Sequence, residues 1–223
     1  MKKLILACSL FYTLACEAQS AFSITAGPQI TTADYKANKV RQPTEHKWGV
    51  FAGVGWKIPF ETRVYFAPEI FYSLKGYRVQ FNQYLFPPGP DARDNDTRIH
   101  CLELAALLHA DLGAQPSHFF LRGGVALDFQ LYGKERYRTS SGNLVEKKMI
   151  YDFGEYGRYS ANAIAQIGYE TEGGFFVAAR YSYGIANISN ADEGPNIHHV
   201  AYGLGVGFFF RNDRIVIDTR NRE

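Results

Sequence analysis

The chain has 223 residues, long enough for one sizeable domain, and its formal charge of +2 gives no electrostatic case for nucleic-acid binding. Its 17 phenylalanines, 15 tyrosines and 21 glycines favour strands over helices. Aromatic rings suit pleated surfaces, and glycine suits turns and crowded interiors.

The N-terminus reads as a signal peptide over residues 1–18. Lys2 and Lys3 precede the apolar run LILACSLFYTLAC, and EAQSAF follows it. Cleavage is expected after Ala18, with Cys16 and Ala18 as the small residues. Lipid attachment at Cys16 is the weaker reading, because Thr13 stands where a larger aliphatic residue is expected. Cleavage removes Lys2, Lys3 and Glu17 from 24 basic and 22 acidic side chains, leaving 22 against 21. Cys101 is then the only cysteine, so no internal disulfide can form.

Eight segments alternate with period two, the signature of strands. The first, Phe22 to Ile30, puts Phe22, Ile24, Ala26, Pro28 and Ile30 on one face. KWGVFAGVGWKI puts Trp48, Val50, Ala52, Val54, Trp56 and Ile58 opposite Gly49, Phe51, Gly53, Gly55 and Lys57. RVYFAPEIFYSL sets Val64, Phe66, Pro68, Ile70, Tyr72 and Leu74 against Tyr65, Ala67, Glu69, Phe71 and Ser73. In RIHCLELAALLHADL the apolar face is Leu102, Leu104, Ala106, Leu108 and Ala110, and Glu103 and His109 lie opposite. Its Leu, Ala and Glu content also suits a helix, but the regular hairpin spacing of its neighbours favours a strand.

FFLRGGVALDFQLY continues the pattern, with Arg122, Gly124, Ala126, Asp128 and Gln130 on its polar face. YSANAIAQIGYE carries Asn162, Gln166 and Glu170 there, and FFVAARYSYGI carries Ala178, Arg180 and Ser182. VAYGLGVGFFF ends the series, with Val200, Tyr202, Leu204, Val206, Phe208 and Phe210 opposite Ala201, Gly203, Gly205, Gly207 and Phe209. Pro28 and Pro68 each remove a ladder donor, so bulges or local water are expected there.

The connections alternate between long (31–46, 75–97, 133–157, 186–197) and short (59–62, 113–118, 171–174). Tight turns at one end and long loops at the other are the asymmetry of an outer-membrane barrel. The expected fold is therefore all-β, an antiparallel up-and-down eight-stranded transmembrane β-barrel over residues 19–210, with a periplasmic tail over 211–223.

Polarity decides between lipid and water. The face that carries the glycines also carries Lys57, Glu69, Glu103, Arg122, Asp128, Gln166, Glu170 and Arg180, while the other face is nearly free of charge. Glycines belong inside a narrow barrel, so these polar residues are the candidate lumen groups. A soluble ligand-binding barrel would have the reverse polarity. Trp48, Trp56, Tyr159, Tyr169, Tyr202 and Phe210 suit interfacial girdles.

These segments carry a resemblance. FAPEIFYSLKGYRVQ, IHCLELAALLHADLG, FFLRGGVALDFQLYG, AQIGYETEGGFFVAARYSYGIANIS and VAYGLGVGFFF resemble, in order and spacing, the strands of the porin-family outer-membrane β-barrel proteins of Gram-negative bacteria. Two departures are Ala105, where that family usually has proline, and RNDRIVIDTRNRE after Phe210, the expected terminal aromatic assembly signal. The resemblance implies an outer-membrane location. Contact with outer-membrane lipid and insertion by the barrel-assembly machinery are expected with that location. The leading expectation for function is a structural or surface-interaction role, with narrow passive conductance as a subsidiary one.

No cofactor, metal or catalytic set is expected. Eight strands leave little bore, so the lumen charges read as a static network rather than an ion path. His198 and His199 would need Asp192 or Glu193 to hold a metal, but adjacent strand residues face opposite ways, so both are expected as surface groups. The alternative of a lipid-modifying enzyme would draw His100 or His109 to Ser160 or Ser182, though no spacing singles them out. Long loops rich in Tyr, Arg and Lys suit an extracellular ligand.

Overall fold

The structure, a computed structural model, describes residues 20–82, 87–89 and 91–210. The expected signal peptide and C-terminal tail thus lie outside the described residues. Twelve strands occur among those described: β1 (Ala21–Ala37), β2 (Val40–Arg41), β3 (Thr44–Glu45), β4 (Lys47–Glu61), β5 (Val64–Lys75), β6 (Arg78–Gln80), β7 (Asp94–Asp111), β8 (His118–Arg138), β9 (Leu144–Lys148), β10 (Tyr159–Glu170), β11 (Phe175–Gly184) and β12 (Asn196–Phe210).

Eight of these form a closed antiparallel ring in the order β1, β4, β5, β7, β8, β10, β11, β12 and back to β1. The closing ladder pairs Phe22 with Phe210 and continues to Lys36 opposite Asn196. Each ring strand is paired on both sides, so away from Pro28 and Pro68 the ladders satisfy the backbone polar groups of the span without water. The segment with helical propensity lies in β7, paired with β5 and β8 along its length.

Outward residues on the spanning strands are the expected apolar set, among them Leu104, Leu108, Val125, Leu127, Ile167, Leu204 and Val206, all exposed. Aromatic pairs flank this band. Phe22 packs edge-on to Trp56, and Phe119 to Tyr169, on the short-turn side, while Phe129–Tyr159 and Tyr72–His100 lie toward the long connections.

The strands run further than the sequence suggests. The expected long connections at 31–46, 75–97, 133–157 and 186–197 are partly sheet, since β1 continues to Ala37, β8 to Arg138, and β2, β3, β6 and β9 add to the rim. The cause is a reversal of polarity. On the upper part of β8, Lys134, Arg136 and Arg138 face outward and are exposed, while Glu135 and Tyr137 face inward and are buried. Outside hydrocarbon, charge belongs on the outer wall and apolar groups inside. There Ala33, Tyr35, Tyr77, Val79, Ile99, Ile188 and Ile197 form an apolar cap above the lumen.

Of the bulges or local water expected at the prolines, no bulge forms at either one. At Pro28 and Pro68 the pairing lapses on one side and resumes in the same register: Ala26↔Val206 is followed by Gln29↔Gly203, and Gly55↔Glu69 by Ile58↔Phe66. Each proline gives up a donor without an inserted residue. The register shifts fall elsewhere, between Pro59 and Glu61 and between His100 and Cys101, where Leu131 on β8 is the extra residue. Next to Pro28, Gly27 is required, because a Cβ there would collide with the Leu204 backbone.

Candidate functional site

The lumen is a stack of alternating ionic and aromatic layers. Lys57, Glu69, Glu103, Arg122, Asp128, Gln166 and Arg180 all point into it and are at least nine-tenths buried. Strand parity places them there, since each sits on the face opposite the exposed apolar residues of its strand.

Nearest the short turns, Lys57 Nζ lies 2.9 Å from Asp111 Oδ1 and 3.2 Å from Glu170 Oε2. His118 Nε2 lies 3.0 Å from the same Asp111 oxygen. Asp111 Oδ1 also accepts from His109 Nε2 at 2.7 Å, and His109 Nδ1 accepts from Arg122 Nε at 2.7 Å. Because arginine only donates, Nδ1 must offer its lone pair and the His109 proton sits on Nε2. Arg122 Nη1 donates to Glu69 Oε1 at 2.6 Å, and Gln166 Nε2 to Glu69 Oε2 at 3.2 Å.

The next rung is built on Glu103. Arg180 Nη2 donates to Glu103 Oε2, and Lys75 Nζ lies 3.0 Å from Glu103 Oε1 and 2.6 Å from Asp128 Oδ2. Asn162 Nδ2 donates to the other Asp128 oxygen. In both rungs the guanidinium is boxed by phenylalanines. Arg122 stands 4.7 Å from the Phe120 ring centroid and 5.2 Å from that of Phe209. Arg180 stands 4.6 Å from that of Phe71 and 5.4 Å from that of Phe51. A weakly hydrated planar cation tolerates such packing better than an ammonium would.

Lys57, Lys75, Arg122 and Arg180 thus face Glu69, Glu103, Asp111, Asp128 and Glu170, four cations against five carboxylates. Ion pairing at this density offsets much of the cost of burying these charges, while Arg122 Nη2 and Arg180 Nε and Nη1 have no hydrogen-bond partner among the described residues. The void beside Arg180, lined by Thr25, Phe51, Phe71, Gln166 and Phe176 among others, measures about 10 Å³. That is room for about one water at most.

Three members of the network, Lys75, Asp111 and His118, are absent from the sequence candidates. Each was assigned to a connection or strand end, although the parity of Ser73–Lys75 and of His109–Asp111 points them inward. His199 corrects another expectation: it is buried in the lumen with its ring 5.8 Å from that of Tyr77, while only His198 is on the outer wall, stacked on Tyr183. The hydrolase set does not assemble. His100 hydrogen-bonds Tyr72 on the outer wall, His109 is held by Arg122 and Asp111, and Ser160 Oγ donates to the Ala186 carbonyl.

His109, Asp111 and Glu170 offer ligand atoms within 4.8 Å of one another. Two observations argue against a metal there. Lys57 already holds the cation position between the two carboxylates, and the His109 nitrogen facing Asp111 carries the proton. The set is an ion-pair network.

The chain matches the family model described as outer membrane protein beta-barrel domain over residues 17–190. Comparison with curated proteins finds no match. Among solved structures, Ail, the attachment invasion locus protein of Yersinia pestis, is 14% identical, with 86% of this chain and 99% of that one covered at a TM-score of 0.44. Neisserial surface protein A is 14% identical, covering 85% and 97% at 0.44. OprG from Pseudomonas aeruginosa is 13% identical, covering 87% and 100% at 0.45. Likeness at that level carries no argument about role, and the architecture rests on the closed ring itself. With most of its length matched by the family model and its eight-stranded ring closed, the chain belongs to the outer-membrane protein β-barrel domain family and is an integral barrel of the bacterial outer membrane.

Proposed function

We propose that this is a plugged, non-enzymatic barrel of the porin type from a Gram-negative outer membrane, a rigid anchor for an extracellular sheet that makes surface contacts. The filled lumen carries this reading: the ionic rungs and the phenylalanines around them occupy it, and the void beside Arg180 measures about 10 Å³, too little for a hydrated ion. Above it the apolar cap closes the extracellular end. In this reading residues 1–18 direct export, the assembly machinery inserts the chain, and 211–223 remain in the periplasm.

The surface role is supported by the rim. An open cleft of about 430 Å³ there is lined by Glu45, Arg78, Asp94, Asp96, Arg136 and Arg138 among others. Rigid strands presenting arginines around a concavity suit recognition of a polar extracellular ligand.

Two measurements on the purified barrel test the proposal. Unboiled and boiled samples should migrate differently on a detergent gel, because a closed ring resists detergent until heated. Planar bilayers containing the folded protein should show no steady conductance. Regular ion-conducting steps from the wild-type barrel would refute the plug.

A further inference from the structure

The outer wall above the lipid band carries two cross-strand rows of charge, and they differ in kind. The upper row runs through direct partners across five strands: Glu45↔Arg78, Arg78↔Asp96, Asp96↔Arg136 and Arg136↔Glu146. Its signs alternate without a break. Arg78 Nε lies 2.9 Å from Asp96 Oδ2, so the row is satisfied within the protein.

The row beneath is Arg98 on β7, Lys134 on β8 and Lys148 on β9, again direct partners, and all three are cations. Like charges placed opposite one another on a sheet face are destabilising. Yet among the described residues, no carboxylate lies within ion-pair distance of Arg98 or Lys148. Lys134 has only Glu146 at 3.7 Å, with both side chains more than half exposed, and such a pair contributes little.

Position supplies the missing partner. One row closer to the membrane on the same strands are His100 and Tyr132, with Tyr72 donating to or accepting from His100 Nδ1 at 2.6 Å. Below those begin the exposed Leu131, Leu104 and Leu127 of the apolar band. An aromatic girdle marks the membrane–water interface. The three cations therefore emerge at the depth of the outer-leaflet headgroups, where phosphate is the commonest anion.

We propose that Arg98, Lys134 and Lys148 form a docking row for the phosphate of an anionic outer-leaflet lipid, seating it against one side of the barrel. Lysine and arginine are both strong phosphate donors, and three aligned cations about 5 Å apart from strand to strand match a headgroup bearing more than one phosphate. The inference needs the barrel to lie in a bilayer. It does not depend on the plug or on the ligand role of the cleft.

The test is lipid retention. The folded full-length barrel in detergent is given bisphosphorylated lipid A or its dephosphorylated form, and bound lipid is counted by native mass spectrometry. Wild type should retain the phosphorylated lipid, and Arg98→Gln with Lys134→Gln and Lys148→Gln should weaken retention about tenfold or more. Arg41→Gln, at an exposed arginine that already pairs with Asp34, should change it little. A boiling-dependent gel shift verifies that the triple variant, altered only at exposed positions, still closes. Raised salt should release the lipid from wild type, which tests the idea without any variant. Equal retention by the triple variant, equal retention of the dephosphorylated lipid, or displacement by inorganic phosphate at matched concentration would each overturn the assignment.

Discussion

The ring of Phe51 on β4 lies so close to Gly205 on β12 that a Cβ at that glycine would come within 2.9 Å of it; Gly203 stands in the same relation, at 2.8 Å. Phe176 occupies the space over Gly207 in the same way. The bare face of β12 is thus the receiving surface for phenylalanines from other strands, and those phenylalanines in turn box Arg122 and Arg180.

Gly205→Val should therefore destabilise the barrel by about 1–3 kcal/mol through overpacking, read as a lower urea midpoint for the refolded protein in micelles. Phe51→Ala in the same chain should recover part of the loss. Additive effects of the two changes would mean that they do not share the space.

Lys75 joins the carboxylates of two strands, Glu103 on β7 and Asp128 on β8. Lys75→Met leaves both buried acids without their shared ammonium, and removing one partner of a buried pair costs about 3–5 kcal/mol. Adding Asp128→Asn should restore part of that by removing one charge. A single variant as stable as wild type would show that the rung does not hold the strands together.

Leu104 faces lipid in the middle of β7 and is half exposed. Leu104→Arg should cost about 2–4 kcal/mol in a bilayer, whereas the same change at Leu144, on the exposed rim strand β9, should be nearly neutral. Refolding yields into lipid vesicles compare the two. Equal tolerance would mean that the apolar band has been placed wrongly.

Glu135 lies beyond the band, buried in the upper barrel, where it accepts from Tyr156 Oη at 2.8 Å and pairs with Lys147 at 3.3 Å. Burial outweighs these partners and pushes its carboxyl above the ordinary value of 4.5. A raised carboxyl contributes stability in its protonated form, fully below that value and progressively less as pH rises through the raised one. Hydrogen exchange in β8 and β9, corrected for intrinsic rates, should accordingly show easier local opening as pH climbs past about 4.5. Glu135→Gln, neutral throughout, should flatten that profile; an unchanged profile would remove Glu135 as its source.

Most of the spanning barrel was legible in the sequence because the bilayer imposes a simple code. Each strand must show lipid an uncharged face, so period-two alternation marked Leu104, Val125 and Val206 as outward and Glu103, Arg122 and Arg180 as inward. The upper barrel was not legible in this way. Its strands keep the same period but exchange polarity once they leave hydrocarbon, and a segment such as Lys134 to Arg138 then looks like a charged loop.

Local alternation and connection length were enough to specify the eight ring strands, their closure and the direction of the lumen side chains. Which lumen groups meet is set by the assembled barrel. Arg122 reaches Glu69 across 53 positions of chain, and Arg180 reaches Glu103 across 77. The bulge at Leu131 and the alignment of Arg98, Lys134 and Lys148 were likewise settled only by strand register. Register is a property of the closed ring: every strand must satisfy two neighbours at once, and no single segment carries that information.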